Sequence, residues 1–307
     1  MRLTQLLPWL LLCGVFSFVA PASAQTARVP GRIVVAKLVG NVTGRSQTDG
    51  SVRELKKGDE LAQQTVVTTG AGSSVILVFS NGASLNLGAD SSMSIDEFLQ
   101  DPFSSTIAVA ELTAEPTSSQ TKLNLTRGEL VGNVKKLNQG AGSSFTINTP
   151  VGAAGIRGTT FRIVFRPDAS GKVFFTLSTA EGSVLFEAPA AEGVAVETGK
   201  EVVVNVEVEV DPDTGTVTVT SPPEVQAPQD IPVETRVQIE QAAQDIVTTS
   251  TEVIVTSVTN PDNSSGNNQN GNNPENDPPP GNDPPADKAP PFTPPPPPPN
   301  TTPGDGL

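Results

Sequence analysis

The chain has 307 residues, with 33 acidic against 19 basic for a formal net charge of -14, no histidine, no tyrosine and one cysteine. That balance repels nucleic-acid phosphates and anionic lipid, so no nucleic-acid partner is expected. Without histidine and tyrosine the chain lacks the commonest general base, the commonest metal ligand and one further proton carrier, which disfavours most enzyme classes.

The chain opens with Arg2, an apolar stretch from Leu6 to Val19, Pro21 and the small-residue site Ala22-Ser23-Ala24. This is the pattern of a secretory signal peptide over residues 1–24, cut before Gln25. Cys13 lies inside it behind Leu12, where lipidation wants a small residue, so it reads as a filler of the apolar segment, with a lipid anchor as the alternative. Cleavage removes the single cysteine, so no disulfide is expected and stability must come from an ordinary core. Nothing downstream approaches the roughly 20 consecutive apolar residues of a membrane-spanning helix. The mature protein is therefore expected without a transmembrane segment, in the periplasm, outside the cell or on its surface.

From about Arg32 to Thr220, β-branched runs such as Ile33 to Val39, Ser74 to Phe79, Phe161 to Phe165, Val173 to Ser178 and Val202 to Val210 alternate with Gly, Asn, Asp and Ser. This predicts an all-β domain over residues 32–220. A stretch of that length buries roughly 70% of its unfolded surface, enough for one substantial core, or two small ones, without metals or staples. Val75, Leu77 and Phe79 share one face, and Leu85 and Leu87 follow the turn signal Asn81-Gly82, which predicts a hairpin. Leu38-Val39-Gly40-Asn41-Val42 returns as Leu130-Val131-Gly132-Asn133-Val134, and Gly70-Ala71-Gly72-Ser73-Ser74 as Gly140-Ala141-Gly142-Ser143-Ser144. Such echoes favour a coiled, solenoid-like winding.

After Ser221-Pro222-Pro223 the character changes, and residues 221–259 read as a linker. Val233, Val237, Ala243, Ile246 and Val247 fall near helical spacing behind Pro232, which predicts a helix at about 234–247. The β-branched stretch Thr248 to Val258 reads alternatively as a strand. Residues 260–307 are Asn, Gly, Asp and Pro, with an unbroken run from Pro294 to Pro299, so a disordered tail with polyproline II character is expected.

Four site-like patterns have plainer readings. Gly70-Ala71-Gly72-Ser73-Ser74-Val75 begins like a dinucleotide loop but leads into a strand, whereas phosphate cradling needs a helix N-terminus. Asp211-Pro212-Asp213-Thr214-Gly215 lacks the closing glutamate of a calcium loop and reads as a hairpin turn. Asp96 and Glu97 with Asp101 or Asp90 resemble a glycosidase pair, but the mature chain has neither tyrosine nor tryptophan for a sugar platform, so a solvated acidic loop is favoured. Asn41, Asn124, Asn263 and Asn300 sit in acceptor sequons, which matter only in a glycosylating host. No catalytic residue, cofactor or metal ligand is assigned.

The stretch from Phe145 to Phe161, with Thr149-Pro150 leading into Gly155-Ile156-Arg157-Gly158-Thr159-Thr160-Phe161, resembles the signature of the FecR domain family. Upstream, Val39-Gly40-Asn41-Val42, Lys57-Gly58-Asp59-Glu60-Leu61, Thr68-Thr69-Gly70, Asn81-Gly82-Ala83 and Arg127-Gly128-Glu129 follow the family's order. The resemblance covers about Val35 to Phe165 and implies a FecR-like twisted β-solenoid or sandwich. It makes Gly58, Asp59, Thr69, Gly70, Gly82, Gly128, Thr149, Pro150, Gly155, Arg157, Gly158, Thr159 and Phe161 the signature residues, structural in role. Sensor-regulators of the family place a sigma-factor-binding region and a membrane helix before this domain. Here a signal peptide stands in that place, so a stand-alone exported domain is expected.

Arg157 is the one charged side chain in a small and apolar stretch. It reads as a clamp on carbonyls or on a carboxylate such as Glu129, with ligand anchor as the alternative. The expected function is non-catalytic protein recognition or scaffolding in the envelope, toward another envelope or surface protein. The alternative is a structural or adhesive surface protein that binds polysaccharide.

Overall fold

The computed structural model describes residues 27–167, 172–189, 192–211, 217–255 and 258–259. The segment 1–24 expected to be a signal peptide, the tail expected at 260–307 and most of the turn expected at 211–215 lie outside the described residues. In chain order the first strands are β1 Val29–Pro30, β2 Ile33–Val39, β3 Val42–Ser46, β4 Val52–Glu54, β5 Thr65–Thr69, β6 Ser74–Phe79, β7 Ser84–Leu87, β8 Ser92–Gln100 and β9 Ile107–Ala108. Then come β10 Ser119–Asn133, β11 Ser144–Thr149, β12 Gly152–Ile156, β13 Thr160–Pro167, β14 Val173–Glu181, β15 Ser183–Glu187, β16 Val194–Glu197 and β17 Lys200–Asn205. The last elements are β18 Val208–Val210, β19 Val217–Val219, β20 Glu224–Val225, β21 Gln229–Asp230, the helix α1 Val233–Ser250 and β22 Ile254–Val255.

Most strands form two sheets, and β18–β19 and β9–β22 are separate two-stranded pairs. In sheet A the order is β4-β3-β5-β8-β10-β11-β12-β15-β16, with β1 beside the end of β8. In sheet B it is β2-β6-β7-β10-β13-β14-β17, with β20 and β21 beside β17. Strand β10 belongs to both: Ser119 to Arg127 pair with β8 in sheet A, and Gly128 to Asn133 pair with β13 in sheet B. The hairpin predicted from Asn81-Gly82 is present, with Val75 opposite Leu87 and Leu77 opposite Leu85.

Period-two alternation sends one set of side chains from each sheet into a shared core. Val75, Leu77, Phe79, Leu85, Phe161, Ile163 and Phe175 come from sheet B, and Val67, Met93, Ile95, Leu123, Phe145, Ile147 and Phe186 from sheet A. Phe79 packs edge-on against Phe98 and Phe145, with ring centroids 5.2 and 6.3 Å apart. Strand β6 is apolar on both faces because its other face is covered too. Ile76 and Val78, with Ala36 and Val131, form a second cluster with Ile246, Val253 and Val255 from α1 and the chain after it.

The helix spans Val233–Ser250, longer than its sequence pattern suggested, and its buried face is a different one. Ile239 and Ile246 point inward, whereas Val233, Val237 and Val247 are exposed. The controlling positions are Ile239, Ala242, Ile246 and Ser250, spaced three or four apart, and valines one step round the helix misled the sequence reading. Lys37 to Asp245 at 2.6 Å, Lys57 to Glu252 at 2.7 Å and a Ser84–Ser250 hydroxyl pair at 3.0 Å tie the helix region down. The helix stops at Ser250, and β22 then pairs with β9, so Thr248 to Val258 divides between helix and strand.

Eight passages of the chain between the two sheets contain a residue with positive φ, namely Gly40, Gly72, Asp90, Gly128, Gly142, Gly158, Gly182 and Gly199, and the first passage, from β1 to β2, does not. Gly128 is the most constrained. It sits at φ +102, and a Cβ there would lie 2.0 Å from Ser91 Oγ and 2.4 Å from Ser91 Cα. Gly72, at φ +63, has nothing within 4 Å of its missing Cβ. Gly128→Ala is therefore expected to cost about 3 kcal/mol or more, and Gly72→Ala only about 1 kcal/mol. Urea denaturation of both variants checks this, and equal losses would refute the steric argument.

Candidate recognition face

Most signature residues are turn and corner positions. Gly58, at φ +91, donates its N–H to Val35 O at 2.8 Å, and Asp59 Oδ2 accepts from Lys56 N at 3.0 Å and from the Arg53 guanidinium at 2.6 Å. Thr69 is buried; its hydroxyl donates to Gly88 O at 2.6 Å and accepts from Ser91 N at 3.0 Å. Gly70 N–H donates to Asn41 O at 3.0 Å, and Gly82 closes the β6–β7 hairpin with its N–H on Phe79 O at 2.9 Å. Thr149 Oγ1 donates to Gly152 O at 2.8 Å, so that Thr149-Pro150 turns β11 into β12. Gly155 sits mid-strand between Thr146 and Leu185. Phe161 fills the core against Gly132, and Thr159 O accepts from Val134 N at 2.9 Å.

Arg157 differs from all of these. It is exposed, and no hydrogen bond or ion pair engages it among the described residues. The expected clamp on Glu129 is made by other residues, Arg162 at 2.7 Å and Arg166 at 3.3 Å. Both lie on β13, directly beside β10, whereas Arg157 sits in the corner before that strand and projects elsewhere.

The two outer faces of the sandwich are unlike. That of sheet B lies under α1, while that of sheet A is open and polar. Its rows follow from strand register: Arg45, Val66, Ser94, Asn124 and Asn148 are successive cross-strand neighbours, and Thr43, Thr68, Ser92 and Arg127 form the row beside them. Between the rows Val67, Met93 and Leu125 point into the core. A shallow groove of about 420 Å³ runs here, bounded by Arg45, Thr68, Ser94, Asn124, Arg127 and Pro150. Neither Arg45 nor Arg127 makes an ion pair among the described residues, in a chain of net charge -14. In the sequence Thr68, Asn124, Arg127 and Pro150 stand out only for other reasons and Arg45 and Ser94 not at all, although Ser-Met-Ser-Ile at 92–95 and Lys-Leu-Asn-Leu-Thr at 122–126 carry the required alternation.

A buried polar network was also missed. Glu115 accepts from Asn138 N at 2.6 Å, from Ser119 Oγ at 2.7 Å and from Ser143 Oγ, and Asn81 Nδ2 donates to Ser119 Oγ at 3.0 Å. A buried carboxylate is tolerable when donors surround it. These bonds fix the segment before β10 onto the turn before β11. Glu115→Ala strands three donors and is expected to lower stability by about 3 kcal/mol, measured by denaturant unfolding; a loss below about 1 kcal/mol would show that the network is dispensable.

The acidic residues weighed as a glycosidase pair have separate tasks: Asp96 accepts from Ser94 Oγ at 2.5 Å, Glu97 pairs with Lys122 at 3.5 Å, and Asp101 pairs with Arg28 at 3.2 Å. Asp90 is the positive-φ corner between β7 and β8. The segment Gly70 to Val75 is the corner between β5 and β6, with no helix beside it. Around the Asp211 turn, β18 and β19 pair antiparallel. Among the described residues no group of three or more acidic, cysteine or histidine side chains is placed to hold a metal, and no helix is long and apolar enough to cross a membrane.

Residues 65–185, from β5 into β15, match the family model described as FecR protein. Every signature residue except Gly58 and Asp59 falls inside that match. None of the curated proteins matches the chain. Two crystal structures, at 1.65 and 2.50 Å resolution, of a protein from Parabacteroides distasonis ATCC 8503 described as a candidate anti-sigma factor are similar at 14% identity and a TM-score of 0.34. The similarity covers 51% of this chain and 59% of the length of those chains, and at that level it does not extend to function.

Proposed function

We propose that the FecR domain carried by this chain is a non-catalytic protein-recognition module of the cell envelope, and that it reads its partner with the open face of sheet A. The observation that carries this reading is the contrast between the two outer faces. One is closed by the chain's own helix. The other presents hydroxyl and amide groups in register, flanked by the unpaired Arg45 and Arg127. Arginines without an ion pair among the described residues, on a polar face where Asp96 and Glu97 are already engaged by Ser94 and Lys122, suit carboxylates and backbone carbonyls of a protein partner, since the guanidinium offers five donors in a fixed fork. Export is supported by the signal-peptide pattern of residues 1–24. In this reading residues 260–307 are a spacer.

Polysaccharide binding through the same face is the second reading, supported by its serine, threonine and asparagine side chains. Sugar rings favour an aromatic platform, and the groove has none; the exposed Phe174 belongs to β14 in sheet B. Protein recognition is therefore preferred.

A photo-crosslinking amino acid placed at Thr126, on the open face, and separately at Gln244, on the exposed side of α1, tests the reading in native cells. One defined envelope protein is expected to crosslink from position 126 and not from 244. The adduct is expected to fall at least tenfold when Arg45→Glu and Arg127→Glu are combined, and to survive replacement of residues 260–307 by an unrelated sequence. Equal capture from both positions, or glycan alone, would overturn the proposal. The mature N-terminus, read by mass spectrometry, is expected at Gln25.

A further inference from the structure

The corner between β12 and β13 carries the exposed Arg157, and a second segment lies directly against it. Gly158 has φ +71, and a Cβ there would come within 3.1 Å of Lys136 Cα and 3.6 Å of Lys135 O. Val134 N–H donates to Thr159 O at 2.9 Å. Two touching stretches thus bring Lys135, Lys136 and Arg157 to one end of the sandwich. Most other cations of the described chain are engaged by carboxylates, including Arg28, Arg32, Lys37, Arg53, Lys57, Lys122, Arg162, Arg166 and Lys200. These three form no ion pair among the described residues, nor does any of them pair with Glu111 or Glu181 on the adjoining segments.

Lys135 gives the cluster its energetic meaning. Its stem lies against the β6–β7 hairpin, where its Cγ is 2.9 Å from the position a Cβ on Gly82 would take. Burial holds its ammonium below the usual lysine range. A charge stripped of part of its water with no counter-charge is stabilised by an arriving anion more than a fully hydrated one is. A chain of net charge -14 gains nothing in solubility from such a cluster.

We infer that Lys135, Lys136 and Arg157 form a docking site for a short run of carboxylates in a partner polypeptide, separate from the groove of sheet A. Pro150 and Arg157 stand before and after β12, so the groove and this site lie toward opposite ends of that strand. A short acidic run suits the site better than a long polyanion does, because a long polyanion must continue past Glu111 or Glu181. Sugar recognition lacks an aromatic partner here as well.

The test uses the whole chain and a fluorescent peptide with four consecutive glutamates between glycine-serine ends, followed by anisotropy at low salt. The triple variant K135Q/K136Q/R157Q is expected to bind at least tenfold more weakly, and R45Q/R127Q to bind within about twofold of the parent. K136Q/R157Q, which alters exposed positions only, is expected to fall between, so a folding defect at Lys135 does not decide the result. Nuclear magnetic resonance titration of the Lys135 ammonium is expected to show its pKa rising when the peptide binds. Unchanged affinity in the triple variant, loss of binding in R45Q/R127Q, binding of polygalacturonate but not of the peptide, or no movement of the Lys135 pKa would overturn the inference.

Discussion

The structure depends on the chain's ability to turn from one sheet into the other. Eight of these passages contain a backbone conformation that L-residues with a Cβ rarely adopt. Gly128 shows the constraint at its strongest. It stands inside a continuous strand, where β10 leaves its partners in sheet A and takes new ones in sheet B without interruption. Because Ser91 fills the space a side chain would need, the corner also locks β10 to the β7–β8 connection, and Ser91 Oγ accepts from Glu129 N at 3.0 Å. Two sheets tied by the shared strand β10 and by tight corners close over one apolar core, and the remaining faces follow from that geometry.

This explains which parts of the architecture were legible in the sequence. The turn motifs around Gly58, Gly70, Gly82, Gly128 and Gly158 stand out because backbone geometry leaves few substitutes, and their order carries the resemblance to the FecR family. The winding inferred from the two internal echoes reflects a real device in one case. Gly72-Ser73 and Gly142-Ser143 each place a positive-φ glycine before a buried serine whose hydroxyl accepts from a neighbouring strand, at Asn41 N and Ser119 N. The other echo has no such meaning, since Gly40 is a corner and Gly132 lies within β10 under Phe161. The helix was placed almost correctly but on the wrong face, because valine is apolar whether or not a sheet lies beneath it.

Site-level features were harder to read for a related reason. Arg157 looked like a clamp because it is the sole charge in its stretch, yet only the fold decides that Arg162 and Arg166 reach Glu129 first. Glu115 gave no local signal, since its three donors come from residues 119, 138 and 143. The open face of sheet A arises from alternation in strands far apart in sequence, and without the register nothing joins Arg45 to Asn124. What emerges is a sandwich with one outer face covered by its own helix, one left open and polar, and a separate cationic end.

Strand β10 welds both sheets into one cooperative unit that holds the open face in register. Native-state amide hydrogen exchange of β10 tests it most directly. Leu123 and Leu125 in the sheet A half and Leu130 and Val131 in the sheet B half are expected to open with the same free energy, within about 1 kcal/mol, at the level of global unfolding. If one half exchanges several kcal/mol more easily than the other, the sheets unfold separately and β10 does not weld them.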